Sequence, residues 1–190
     1  HSPDVKEKLE ELGIPVLVDH SSYETHPLGR TEWMRLYAAL DGKEAEAQQL
    51  FEEQTAYVDA LAGLESTGKT VAFFHISSSG YAVVRKSGDY VTKMIELAGG
   101  SYIFSDLGDP ETATSTVPLE METFYATAKD ADYIIYNSTI GGGLSSLEEF
   151  VGLNSLLGEF KAVQNGNVWC TGHTLFQETT QFGPMTSDIH

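Results

Sequence analysis

Positive charge is scarce in this sequence: 11 Lys and Arg stand against 28 Asp and Glu in 190 residues, a formal net charge of −17. A surface of that sign repels a nucleic-acid backbone or an anionic membrane face, which argues against function built on phosphate contact along a polymer. Cysteine is nearly absent. Cys170 stands alone, so it closes no internal disulfide and does not discriminate between redox compartments; it reads as a small buried hydrophobe. No tract is Pro- or Ser-rich, and no apolar run approaches the roughly 20 residues that cross a bilayer. Nor does the chain open with a basic stretch followed by an apolar core. What is present is 41% hydrophobic residues, enough for the core of one large domain, or of one domain plus a piece of another.

The chain begins with a helix signal: Ser2 as cap, Pro3 at the first helical position, an amphipathic stretch to Leu12 and Gly13 as the stop. "IPVLVDH" then reads as a buried strand. A helix feeding one apolar strand lacks neighbouring strands, so the opening residues are expected to be the tail of a larger α/β domain. A second helix is predicted from Thr31 to Leu40, with Trp33, Leu36, Tyr37 and Leu40 at helical spacing and Asp41–Gly42 as breaker. Strong helix formers fill Lys43 to Leu64, where Ala47, Leu50, Phe51, Val58, Leu61 and Leu64 make one stripe. That helix would run about 33 Å at 1.5 Å per residue. Beyond it, strands ("TVAFFHI", "DYIIYN", "GNVWCT") alternate with helices ("VTKMIELAGG", "LEMETFYATAKDA", "LEEFVGL", "SLLGEF"). Such alternation predicts a doubly wound α/β domain with a mainly parallel sheet covered on both faces.

Two glycine motifs invite a nucleotide reading. "GLESTGKT", Gly63 to Thr70, fits G-x-x-x-x-G-K-[ST], but a working phosphate loop follows a strand and opens a helix. Here the order is reversed, so Gly68 is predicted to take a left-handed conformation in a helix cap and turn. "GGG" at Gly141 to Gly143 follows a strand but lacks G-x-G-x-x-G spacing and the later acidic residue for a ribose; it reads as a flexible loop.

"PLGRTEW", the long helix, "MIELAGG" with an aromatic soon after, and "AKDADYIIYN" together give the chain a resemblance over nearly its whole length. It resembles the substrate-binding proteins of ABC importers that carry ferric siderophores, haem and cobalamin. The resemblance implies two α/β lobes joined by a rigid helix: residues 1–42 as the end of the first lobe, 43–67 as the connecting spine and 68–190 as the second, ligand-binding lobe. The export signal and most of the first lobe are missing from it, so the chain is expected to be a portion of a longer parent. It further implies an extracytoplasmic, lipid-anchored parent with a membrane permease as partner, no catalysis and no resident cofactor, the chelate being cargo.

In open α/β sheets ligands lie beyond the carboxyl ends of the strands, so the residues after each strand are the site candidates. These are Tyr23 with Ser21 and Ser22; Ser77 to Ser79 and Tyr81, with Arg85, Lys86 and Tyr90 further along; Asn137, Ser138 and Thr139; and Thr171, His173, Phe176 and Gln177. Arg85 beside Lys86 reads either as the seat of an anionic chelate or as a solvated surface pair, and Arg30 of "PLGRTEW" is the next basic candidate. Tyr81 and Tyr90 would pack a flat ligand or belong to the core. His20, His75 and His173 fall at or near strand ends and would hold Zn2+ or Mn2+ in the alternative, bare-metal reading, although no H-x-H or H-E-x-x-H spacing accompanies them. For an enzyme, "SSS" lacks the G-x-S-x-G elbow, and Glu120 and Glu122 are too close in sequence to serve as an acid and base pair on one helix face. The family docks on its permease through an acidic residue of each lobe, and the resemblance carries that role to Glu122, with Glu120 as the alternative.

Overall fold

Five consecutive buried positions, Val71 to His75, place β1 (Thr70–Ile76) in the middle of a sheet. The computed structural model describes residues 3–109, 115–172, 175 and 181–190. On one side β1 pairs in parallel with β5 (Tyr133–Tyr136), which pairs in parallel with β6 (Val168–Cys170). Its other side is shared. β3 (Ser101–Tyr102) runs parallel along the amino end of β1, while β2 (Ala82–Arg85) folds back antiparallel along its carboxyl end and carries β4 (Thr116–Leu119) outside it. The strand order is β4-β2-β1-β5-β6. The fold is therefore a mixed α/β layer with a mainly parallel sheet, as the alternation predicts, plus an antiparallel wing that it does not.

Strand periodicity divides the side chains between two faces. Phe74 and Tyr136 point to the face covered by α5 (Met121–Ala128), α7 (Leu147–Leu153) and the turn Ser155–Glu159 that leads into α8 (Lys161–Gln164). There Phe74 meets Phe124 at 4.4 Å between ring centroids, Tyr136 meets Phe150 at 5.7 Å and Phe124 stacks on Phe160 at 5.5 Å. Phe73, Tyr133 and Ile135 point to the other face, where α4 (Tyr90–Leu97) and α9 (Phe182–Ile189) leave a cavity of about 530 Å³ against the sheet.

The long helix is α3 (Glu44–Leu61), ended by Ala62 and by Gly63 at φ +87°. It packs between α2 (Pro27–Asp41) and α9. At the α3–α9 crossing, the Gly183 N–H donates to Gln54 Oε1 at 3.1 Å, and a Cβ built on Gly183 would sit 2.4 Å from the Gln54 carbonyl oxygen. α9 itself is absent from the sequence reading. Phe182 anchors it against Tyr90 of α4 at 5.0 Å, and His190 Nδ1 lies 3.0 Å from the Ala98 carbonyl oxygen.

Several expectations are corrected. α1 (Pro3–Glu11) forms, with Gly13 at φ +74°, but residues 14–20 form no strand and pair with none among the described residues. A strand needs a partner, and Ile14 and Leu17 lie exposed. α2 starts four residues earlier than predicted because His26 caps it, its side chain accepting from the Leu28 N–H at 3.2 Å, with Pro27 at the first position. Leu50 and Leu64 fall outside the buried stripe, which consists of Ala47, Val58 and Leu61. The "GGG" segment is not a loose loop: it closes the single turn α6 (Ser138–Gly141), and a Cβ on Gly141 would stand 2.2 Å from the Tyr136 hydroxyl.

Candidate ligand-binding site

Because β1, β5 and β6 are parallel, their carboxyl ends, Ile76, Tyr136 and Cys170, share one edge of the sheet. The segments leaving that edge form a contiguous rim. After β1 the chain turns through Ser77 to Gly80, whose φ of +83° suits glycine. The turn is pinned where the Tyr81 N–H donates to Ser77 Oγ at 3.1 Å, leaving Ser78 and Ser79 exposed. β4 ends beside the start of β2, with Leu119 opposite Ala82, and so delivers Glu120 to the same place. The Tyr81 hydroxyl bonds to Glu120, and that carboxylate raises the tyrosine pKa.

The β5 and β6 exits are tied together. The Ser138 N–H donates to Thr171 Oγ1 at 3.0 Å and the Thr139 hydroxyl to the Gly172 carbonyl at 2.8 Å. Asn137 and Ser138 are almost wholly buried, at 1% and 3% exposure, yet Asn137 Oδ1 and Ser138 Oγ have no hydrogen-bond partner among the described residues. Buried polar atoms are normally paired, so these two stand out at the end of the central strands. Ile140 and Tyr81 add exposed apolar surface to the rim.

Arg85, Lys86 and Tyr90 do not belong to this edge. β2 runs back from the carboxyl end of β1 toward its amino end, and each residue along it moves away from the rim. Arg85 is a buried partner of Asp89, 3.4 Å away, with its side chain only 12% exposed, and its guanidinium lies 5.8 Å from the Phe73 ring centroid. Asp89 caps α4 by accepting from the Val91 N–H at 3.0 Å; burial raises its pKa, and the Arg85 charge opposes that shift. Tyr90 is core, its pKa pushed up to about 12 by burial. Arg30 lies with its guanidinium 3.8 Å from the Tyr90 ring centroid and donates to the Ser22 and Glu24 carbonyls at 2.6 and 3.2 Å, so it is occupied in holding the turn Ser21–Tyr23 against α4. Tyr23 is exposed in that turn, 5.8 Å from the His20 ring.

Glu122 is exposed in the first turn of α5. His75 lies buried on β1, where burial first and the Arg85 charge second lower its pKa. Among the described residues no three His, Cys, Asp or Glu side chains converge as a metal group would require. Gln177, His173 and Phe176 lie outside the described residues. Cys170, expected to be buried, is exposed. At "GLESTGKT" a helix precedes and a strand follows, with Gly68 at φ +66° and the Lys69 ammonium 3.7 Å from Asp132. The loop leads into β1, so it opens no helix of its own.

Sequence reasoning missed the Tyr81–Glu120 pairing and the hairpin behind it. The signal was available: "SSSG" between "TVAFFHI" and "YAVVR" is a short glycine-bearing turn between two apolar alternations.

The periplasmic binding protein family model matches residues 2–174. An uncharacterized lipoprotein of Methanocaldococcus jannaschii is 34% identical over 173 residues, which are 90% of this chain and 40% of that protein. A second uncharacterized lipoprotein of the same organism is 26% identical over 171 residues, 87% of this chain and 42% of its own length. The chain thus spans about two fifths of the curated relatives it matches. Among solved structures, the periplasmic haem-binding protein HutB of Vibrio cholerae superposes with a TM-score of 0.75 at 23% identity, over 99% of this chain and 72% of that one. An ABC-type Fe3+-hydroxamate transport system protein of Saccharomonospora viridis gives 0.75 at 17% identity, over 97% and 63%.

Proposed function

We propose, from the premise that this chain belongs to the periplasmic binding protein family, that it is the ligand-binding part of an extracytoplasmic, lipid-anchored component of an ABC importer. Its ligand is an iron chelate, haem or cobalamin, captured and handed to a membrane permease without turnover. The observation that carries this reading is the rim itself: hydroxyls, an amide and a tyrosine gathered at the carboxyl edge of a mainly parallel sheet, where ligands of open α/β folds are held. In this reading residues 1–42 belong to a first lobe, α3 is the spine between lobes, and opening is limited by that helix. Glu122, exposed at the head of α5, meets a permease cation, and the acidic surface speeds the encounter.

Absorbance titration of the full-length protein with haem, cobalamin and several ferric siderophores tests the proposal. Saturable binding of one chelate, with no chemical change in it, is expected. Failure of all of them to bind, or turnover of any, overturns it.

A further inference from the structure

We propose that the ligand face received by this rim is uncharged and hydrogen-bonding, an amide- or hydroxamate-bearing chelate, and that chelates presenting carboxylates or catecholates are disfavoured there. This inference rests on the ligand-binding reading above and narrows it.

Its basis is where the positive charges lie. All 11 Lys and Arg fall on described residues, and none is in the segments 77–81, 119–122, 137–142 and 171–172 that make the rim. The lobe's cations are placed elsewhere by the fold. Lys69 and Lys161 gather on Asp132, which precedes β5 at the opposite end of the sheet. Arg85 is committed to the buried Asp89, and Lys86 lies beyond it in the direction that carries β2 away from the rim. What the rim offers instead is the hydroxyls of Ser78, Thr139 and Thr171, backed by the buried amide of Asn137, with Tyr81 as an apolar plate and Glu120 at its hydroxyl.

Hydroxyl and amide groups serve as donor or acceptor and match the C=O and N–H of an uncharged ligand equally well. A ligand carboxylate brought to the same surface finds no counter-charge, meets Glu120, and is desolvated without compensation. The chemistry of ferric chelates separates along this line. Hydroxamates balance the ferric charge, so their complexes carry little net charge; catecholates overbalance it, and haem brings propionates. The corrin side chains of cobalamin are mostly amides and fall with the first group.

The test uses the full-length protein, titrated by tryptophan fluorescence with a ferric trihydroxamate, cobalamin, a ferric tricatecholate and haem, at low and high salt. One of the two uncharged-face chelates should bind at least about tenfold more tightly than either anionic one, with the gap closing as salt screens the repulsion. Glu120→Lys, on an exposed side chain, should strengthen tricatecholate binding by about tenfold. Tricatecholate or haem binding as tight as that of the uncharged chelates, or insensitive to Glu120→Lys, overturns this inference while leaving the binding-protein reading in place. Saturable binding of none of the four overturns the binding-protein reading itself.

Discussion

Replacing Gly183 by alanine puts a methyl group where α9 crosses α3. The new Cβ would stand 2.4 Å from the Gln54 carbonyl oxygen, 3.0 Å from its Cα and 3.1 Å from its carbonyl carbon. All three are main-chain atoms, so no side-chain rotation relieves the contact and the helices must part. Overpacking of this kind costs about 1–3 kcal/mol, whereas alanine in a helix recovers about 0.5–1 kcal/mol relative to glycine. A net loss of about 1–2 kcal/mol corresponds to a fall in Tm of about 2–8 °C for a chain of this size. Differential scanning calorimetry reads the Tm, and hydrogen exchange reads the opening of α3 around Gln54. Gln54→Ala removes the hydrogen bond to the Gly183 N–H but leaves the main chain in place, so it should not rescue the Gly183→Ala variant. An unchanged or raised Tm for Gly183→Ala would refute the close-crossing argument.

Three further outcomes are expected. Arg85→Ala leaves the Asp89 carboxylate buried without its ion pair, which costs about 3–5 kcal/mol by urea denaturation, with a smaller loss at low pH, where the raised pKa of Asp89 lets it protonate; a variant of native stability would show that the pair is not a structural one. Asp132 has its pKa lowered from 3.8 to about 2, first by the hydrogen bond from Lys161 and next by the Thr70 N–H. Its folded pKa lies below the unfolded one, so its stabilisation is full above about pH 4 and is lost as the pH falls toward about 2, and Lys161→Ala should flatten the dependence of Tm on pH across that window. Finally, calorimetry should detect no ATP affinity in either the wild type or Lys69→Ala, since the glycine loop opens a strand rather than a helix; micromolar binding abolished by the substitution would refute that.

The parts of the fold legible in the sequence are those specified locally. The helix formers of residues 44–61 and the apolar run Val71 to Phe74 at the heart of β1 announce themselves without reference to anything distant. "IPVLVDH" is misread because an apolar run looks the same whether or not a partner strand exists, and pairing is decided elsewhere in the molecule. α9 is unreadable for the converse reason: "FGPMTSDI" has poor helix propensity, and its seat is set by Tyr90 and Gln54, far away in the chain. The site was half legible. Ser78, Tyr81, Asn137, Ser138 and Thr171 lie at the carboxyl edge of the sheet, where the ends of the strands put them in the sequence. Arg85 and Lys86 were misplaced by one overlooked reversal of direction, after which every residue of β2 moves toward the other end of the sheet.

The α3–α9 crossing also bears on how the chain reaches its native state. Gln54 and Gly183 are 129 residues apart, so their contact closes a long loop at an entropic cost that local helix contacts do not carry. Secondary structure forms in about a microsecond, whereas the seating of α3 against α9 waits for that loop to close. That separation gives the crossing a high contact order and places it late in folding. In a refolding experiment the strands β1 and β5 should gain exchange protection before α3 does.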